Sequence, residues 1–196
     1  DKSPNQSDRN DIVRSIVLHH TGPGSFNGIV GWLKDPRAKA AAHYVLGTSG
    51  ELTQLVNNSK KAWHAGPSTW VIDGVKRSDL NNCTIGIEIC NVGVLLEKEE
   101  RYYYEDGRGD PVQYKGLSPV KSSITYPNGN ILEGHFVPYP EVQIEKLIAL
   151  CKGIIKKYPN IGKENILTHF DIATPLGRKN DPFGLDVKNI IERIFE

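Results

Sequence analysis

The chain has 196 residues, 38% of them hydrophobic and 24% charged, which fits one globular domain whose core needs no disulfide staples. Its 24 Lys and Arg balance 23 Asp and Glu, so no global basic field draws it to nucleic acid. Its apolar runs fall short of the ~20 residues that span a bilayer. A monomer with neither nucleic-acid binding nor membrane insertion is expected.

Asp1 opens the chain and methionine is absent, so a removed leader or a trimmed end is expected ahead of it. Residues 1–11 (DKSPNQSDRND) are polar and read as an arm or linker remnant, with the folded domain over 12–196. Ser15 to His19 is a short buried strand, followed by a Gly/Pro turn and a short helix from Phe26 to Leu33. His43–Leu46 and Leu52–Val56 bracket a glycine loop and predict a hairpin. Thr84–Ile89 is another strand, with Ile85, Ile87 and Ile89 on one face and Gly86 and Glu88 on the other. From Val92 to about Tyr139 the periodicity fades, and the segment is far longer than an ordinary connection. Apolar positions recurring at three and four from Ile144 to Ile155 predict a helix over Pro140–Tyr158. Ile166–His169 reads as a last strand, and Val187 to Phe195 as a closing helix. Strands separated by helices imply an α/β domain: a mixed central sheet with helices packed on its faces.

The chemistry-bearing residues sit at strand ends. His19 ends a strand and His20 follows it, so alternation admits at most one of them to a shared site. His169 ends another predicted strand, and Asp181 lies in the loop beyond it. Two imidazoles and a carboxylate make a zinc donor set at the rim of a sheet, although histidines are more often structural. Glu88 lies among β-branched residues, where a carboxylate is costly unless it forms an ion pair or handles a proton beside a metal. Lys179, two residues before Asp181, is either a solvated loop lysine or a partner for an oxyanion.

Cys83 and Cys90 flank one strand, which holds them more than about 20 Å apart and out of disulfide range. Cys83 with Cys151 leaves a disulfide open, against two buried thiols in one core layer beside Ile85, Ile87 and Ile89. Cys90, on the Glu88 face, is expected nearer the cleft. The long segment carries Tyr102, Tyr103, Tyr104, Tyr114 and Tyr126; it is either a cleft wall that packs on sugars or cover for a sheet edge.

Read together, Ile16-Val17-Leu18-His19-His20-Thr21, Ala42-His43-Tyr44-Val45-Leu46, Ala62-Trp63-His64-Ala65-Gly66, Asn82 to Glu88, Leu167 to Ala173 and Gly177-Arg178-Lys179-Asn180-Asp181-Pro182 occur in one order. This series resembles the type 2 N-acetylmuramoyl-L-alanine amidases, a zinc family that includes phage lysozyme-type amidases and peptidoglycan recognition proteins. The resemblance runs from Ser15 to about Gly184, except for an insert at about 92–139. It implies Zn2+ held by His19, His169 and Asp181, Glu88 as the catalytic acid, and Lys179 as the basic residue near the metal. It places His64 and Trp63 along the substrate cleft, together with His43, where several members carry tyrosine. The implied reaction is hydrolysis of the amide between N-acetylmuramic acid and L-alanine in peptidoglycan or muropeptides. A binding-only peptidoglycan module and a zinc peptidase cutting within the stem peptide are the other classes. A periplasmic, secreted or phage-delivered setting fits best.

Overall fold

The computed structural model describes residues 2–125 and 131–196. Its strands are β1 (Gln6–Asp8), β2 (Ser15–His20), β3 (Tyr44–Leu46), β4 (Leu52–Gln54), β5 (Lys60–Ala62), β6 (Thr69–Ile72), β7 (Val75–Ser78), β8 (Thr84–Ile89), β9 (Val94–Lys98), β10 (Arg101–Glu105), β11 (Pro111–Gln113), β12 (Val120–Thr125), β13 (Ile131–Phe136) and β14 (Ile166–Thr168). The helices are α1 (Phe26–Lys34), α2 (Glu141–Lys157), α3 (His169–Ile172) and α4 (Val187–Ile194). The result is a single α/β domain built on a mixed sheet of order β14-β2-β8-β3-β4. In it β14, β2, β8 and β3 run parallel, and β4 returns antiparallel. Among the described residues no helix is long and apolar enough to cross a membrane.

Period-two alternation gives the sheet two different faces. Ile16, Leu18, Ile85, Ile87 and Ile89 pack with Leu147, Ile148, Cys151 and Ile154 of α2 and with Ile190 and Ile194 of α4. Each such side chain removed from water contributes about 1.5–3 kcal/mol, so this layer drives the fold. The opposite face carries Val17, His19, Gly86 and Glu88, of which His19 and Glu88 are in register on adjacent parallel strands. That pairing points both side chains to the same side, near the carboxyl ends of the strands, where α/β sheets place ligands.

Several expectations change. Residues 2–11 are not a free arm: β1 pairs with β5, and Ser3 and Asn5 are buried. The Asn5 amide donates to the carbonyls of Asp35 and Ala40 at 2.9 and 3.0 Å, so its polarity serves the interior. His169 begins α3 instead of ending a strand, because Thr168 caps that helix through a reciprocal pair with Asp171. All three cysteines are free and buried. Cys151 lies under α2, but Cys83 packs with Val17, Leu80 and Leu167 in a separate cluster. Cys83 closes the 3-10 turn Leu80–Asn82, with φ −127° and ψ 13°, and so falls outside the strand alternation that would align it with Ile85. Cys90 packs with Val45, Leu55 and Ala62 on the Glu88 side of the sheet.

The 92–139 segment has more order than its sequence suggested. It forms an antiparallel sheet of order β11-β10-β9-β13-β12, whose local hairpins need no long-range period to register.

Candidate active site

His19, His169 and Asp181 converge at the end of the parallel strands. Their ligand atoms all lie within 4.8 Å of one another, and all three residues are buried. His19 Nδ1 is 3.0 Å from His169 Nδ1 and 3.4 Å from Asp181 Oδ2, and His169 Nδ1 is 3.1 Å from the same oxygen. Asp181 is brought there by its own carbonyl, which accepts from Phe170 N–H at 3.0 Å and ties the loop to α3.

The hydrogen-bond chain behind these atoms assigns their protons. Thr84 Oγ1 donates its single proton to the Leu80 carbonyl at 2.7 Å, so it can only accept from His64 Nε2–H at 3.0 Å. His64 Nδ1 is then a bare acceptor, and His19 Nε2–H donates to it at 2.9 Å. His169 Nε2–H donates to the Ala65 carbonyl at 3.2 Å. Both rings thus turn bare Nδ1 lone pairs toward each other and toward a carboxylate oxygen. Three electron-pair donors at these separations repel unless a cation lies among them. A proton on His19 would relieve this, but burial pushes that imidazole down to about 4. Imidazole with carboxylate is the donor chemistry of a borderline divalent metal, so the residues fit a metal ion.

Glu88 stands beside this cluster. Its Oε2 is buried without a hydrogen-bond partner, and no ion pair to Glu88 forms among the described residues. Burial, reinforced by the charge of Asp181, pushes its carboxyl up to about 8. The ion-pair explanation for a carboxylate on this strand is therefore not the one the structure realises.

An open cavity of about 640 Å³ covers the cluster, lined by His20, Trp32, Trp63, His64, Glu88, His169 and the loop Gly177–Asp181, Lys179 included. Trp32 and Trp63 are exposed. Trp63 Nε1 donates to Ser7 Oγ at 3.1 Å, so the N-terminal strand helps orient a cavity wall. His20 is not among the three converging donors, and its Nδ1 accepts from Gly22 N–H at 3.2 Å.

Two sequence expectations move. His43 is fully buried and does not line the cavity. Its Nδ1 accepts from Gly86 N–H at 3.0 Å, and its Nε2 lies 3.1 Å from both the Lys60 carbonyl and Arg9 Nη2, so both nitrogens are taken within the interior. Tyr102, Tyr103, Tyr104 and Tyr114 do not line the cavity either. Tyr102 instead packs edge-to-face on His135 of its own sheet, centroids 4.9 Å apart. Tyr126 lies outside the described residues. The insert touches the site from behind: Phe136 packs on Phe183, centroids 4.7 Å apart, behind the loop that carries Asp181.

Sequence reasoning also passed over Thr84, Gly86 and Asn81. A Cβ on Gly86 would stand 2.6 Å from His64 Nδ1, so the absent side chain makes room for that ring. Asn81 Oδ1 accepts from His64 N–H and Ala65 N–H at 3.0 and 2.8 Å and sets the turn that aims His64. A glycine inside a run of β-branched residues was the legible signal of close approach.

The chain is 30% identical over 177 residues to N-acetylmuramoyl-L-alanine amidase AmiD of Escherichia coli K12, covering 87% of this chain and 49% of that protein. It is 26% identical to 1,6-anhydro-N-acetylmuramyl-L-alanine amidase AmpD of the same organism, covering 85% of this chain and 74% of AmpD. The crystal structure of AmpDh3 from Pseudomonas aeruginosa in complex with anhydromuramic pentapeptide superposes with a TM-score of 0.63 at 28% identity, covering 92% of this chain and 59% of that one. The chain thus spans about half the length of AmiD. Residues 8–184 match the model of the N-acetylmuramoyl-L-alanine amidase family, the stretch that holds all three converging donors and Glu88, and the chain belongs to that family.

Proposed function

We propose that the chain is a zinc-dependent amidase that hydrolyses the bond between N-acetylmuramic acid and L-alanine in peptidoglycan or muropeptides. The observation that carries this reading is the convergence of His19 Nδ1, His169 Nδ1 and Asp181 Oδ2 beside a carboxylate that has no ion-pair partner, in a member of the amidase family. His19, His169 and Asp181 would hold Zn2+, which when bound supplies Lewis acidity and a local positive charge.

The chain's own groups do the rest. Glu88, with Oε2 free and its carboxyl favoured in the ionised form by the positive charge that a bound metal would supply, takes a proton from the attacking water and delivers it to the departing L-alanine nitrogen. Lys179, on the cavity wall beside Asp181, donates to the oxygen that gains charge as the amide carbon becomes tetrahedral. The exposed rings of Trp32 and Trp63 offer flat apolar surface for the sugar. The volume suits a muramoyl group and the first residues of its peptide.

Mass spectrometry of muropeptides after digestion tests the reading. Release of an intact stem peptide with a free L-alanine amine, abolished by a chelator and restored by zinc, is the expected result. Cleavage inside the stem peptide, or binding of sacculi without any product, refutes it.

A further inference from the structure

His64 lies on the cavity wall, where its family motif suggested contact with substrate, yet it retains only 8% of its surface. Neither ring nitrogen is free to meet a ligand. Nδ1 faces His19 Nε2 at 2.9 Å, and Nε2 faces Thr84 Oγ1 at 3.0 Å. The line continues to the Leu80 carbonyl, 2.7 Å from that hydroxyl, and a backbone carbonyl can only accept. Direction therefore propagates from a fixed end: carbonyl, hydroxyl, His64, His19. The ring is also held sterically, since Gly86 lies under it with no room for a methyl and Asn81 fixes its backbone N–H.

We infer that His64 is a positioning residue: through Thr84 and the Leu80 carbonyl it holds the His19 proton on Nε2 and leaves His19 Nδ1 bare and aimed at His169 and Asp181. This rests on the zinc reading above and adds to it the part that selects the ligating nitrogen. An imidazole ligand without such an acceptor can place its proton on either nitrogen and rotate. Outer partners of metal-bound histidines are usually carboxylates or backbone carbonyls. A second imidazole serves here only because Thr84 fixes its tautomer in turn. His169 reaches the same state by the shorter route of the Ala65 carbonyl.

Zinc affinity by competition with a chromophoric chelator, together with long-range proton–nitrogen spectra of the histidine rings, tests this. In the zinc-loaded parent the His19 proton is expected on Nε2; a His19 carrying its proton on Nδ1 overturns the inference. H64L removes the acceptor and is expected to weaken zinc binding roughly 10–100-fold. H64N puts an amide oxygen near the Nδ1 position and is expected to recover most of that loss, which simple ring packing would not do. A folded H64L that binds zinc as tightly as the parent overturns the inference, as does an H64N as weak as H64L. If H64L does not fold, T84V and T84S carry the test: the first is expected to weaken binding and the second to restore it, and equal affinities refute the relay. A parent that binds no zinc defeats the functional reading instead, while the position of the His19 proton in the metal-free spectra still decides this one.

Discussion

Gly86→Ala puts the smallest possible side chain into the densest contact of the site. The new Cβ would stand 2.6 Å from His64 Nδ1 and 2.7 Å from its Cδ2. The ring has little freedom to yield, because His19 and Thr84 hold its two nitrogens at 2.9 and 3.0 Å. The strand has little either, because Gly86 N–H is bound to His43 and Gly86 itself is in register with Val17. Forcing a methyl into such packing costs about 1–3 kcal/mol. If the ring moves aside instead, the buried His19 Nε2–H loses its acceptor, at about 1–3 kcal/mol. Either way a loss of about 1–3 kcal/mol in unfolding free energy is expected, with zinc affinity falling where the ring moves. Urea denaturation of parent and variant followed by tryptophan fluorescence measures the first, and chelator competition the second. A G86A protein with an unchanged midpoint and unchanged zinc affinity would refute both the close packing of His64 and its link to His19.

Glu88→Gln keeps the volume and removes the titratable group, so zinc content and fold should survive while amidase turnover falls roughly 10²-fold or more; near-parental turnover rules out proton transfer by Glu88. His43→Asn tests an acid sensitivity. Burial pushes His43 from its ordinary 6.5 to about 3, so the folded state excludes a proton that the unfolded chain accepts. His43 therefore removes stability as pH falls from 6.5 towards 3, by about 1.4 kcal/mol per unit, and has no such effect above 6.5. The asparagine still accepts from Gly86 N–H, so the variant should be less stable at pH 7 and approach the parent by pH 4; parallel urea-derived stability curves contradict this. Asn5→Ala strips the amide that meets the Asp35 and Ala40 carbonyls and should cost about 2 kcal/mol by denaturation. An unchanged midpoint would return residues 1–11 to the status of an arm.

The sequence by itself determined the central architecture and singled out the side chains that converge at its rim. The isoleucine alternation in Thr84–Ile89 commits one face of β8 to the helices and sends Glu88 to the other, because side chains of a strand alternate by geometry alone. The three-and-four spacing of α2 was equally legible, since it is a local period. Motif order marked His19, His169, Asp181 and Glu88. Tertiary structure decided what local pattern cannot encode. Whether Ser3 and Asn5 are solvated or buried depends on carbonyls some 30 residues away. The insert's sheet rests on pairings between weakly patterned strands, and its tyrosines Tyr102, Tyr103, Tyr104 and Tyr114 do not line the cavity. His43 and His64 carry the same side chain and lie in similar motifs. Only the positions of Gly86, Lys60, Thr84 and His19 make the first a buried backbone clamp and the second a neighbour of the donor cluster. A histidine's role is set by which partners take its two nitrogens, and those partners come from distant parts of the chain that only the fold brings together.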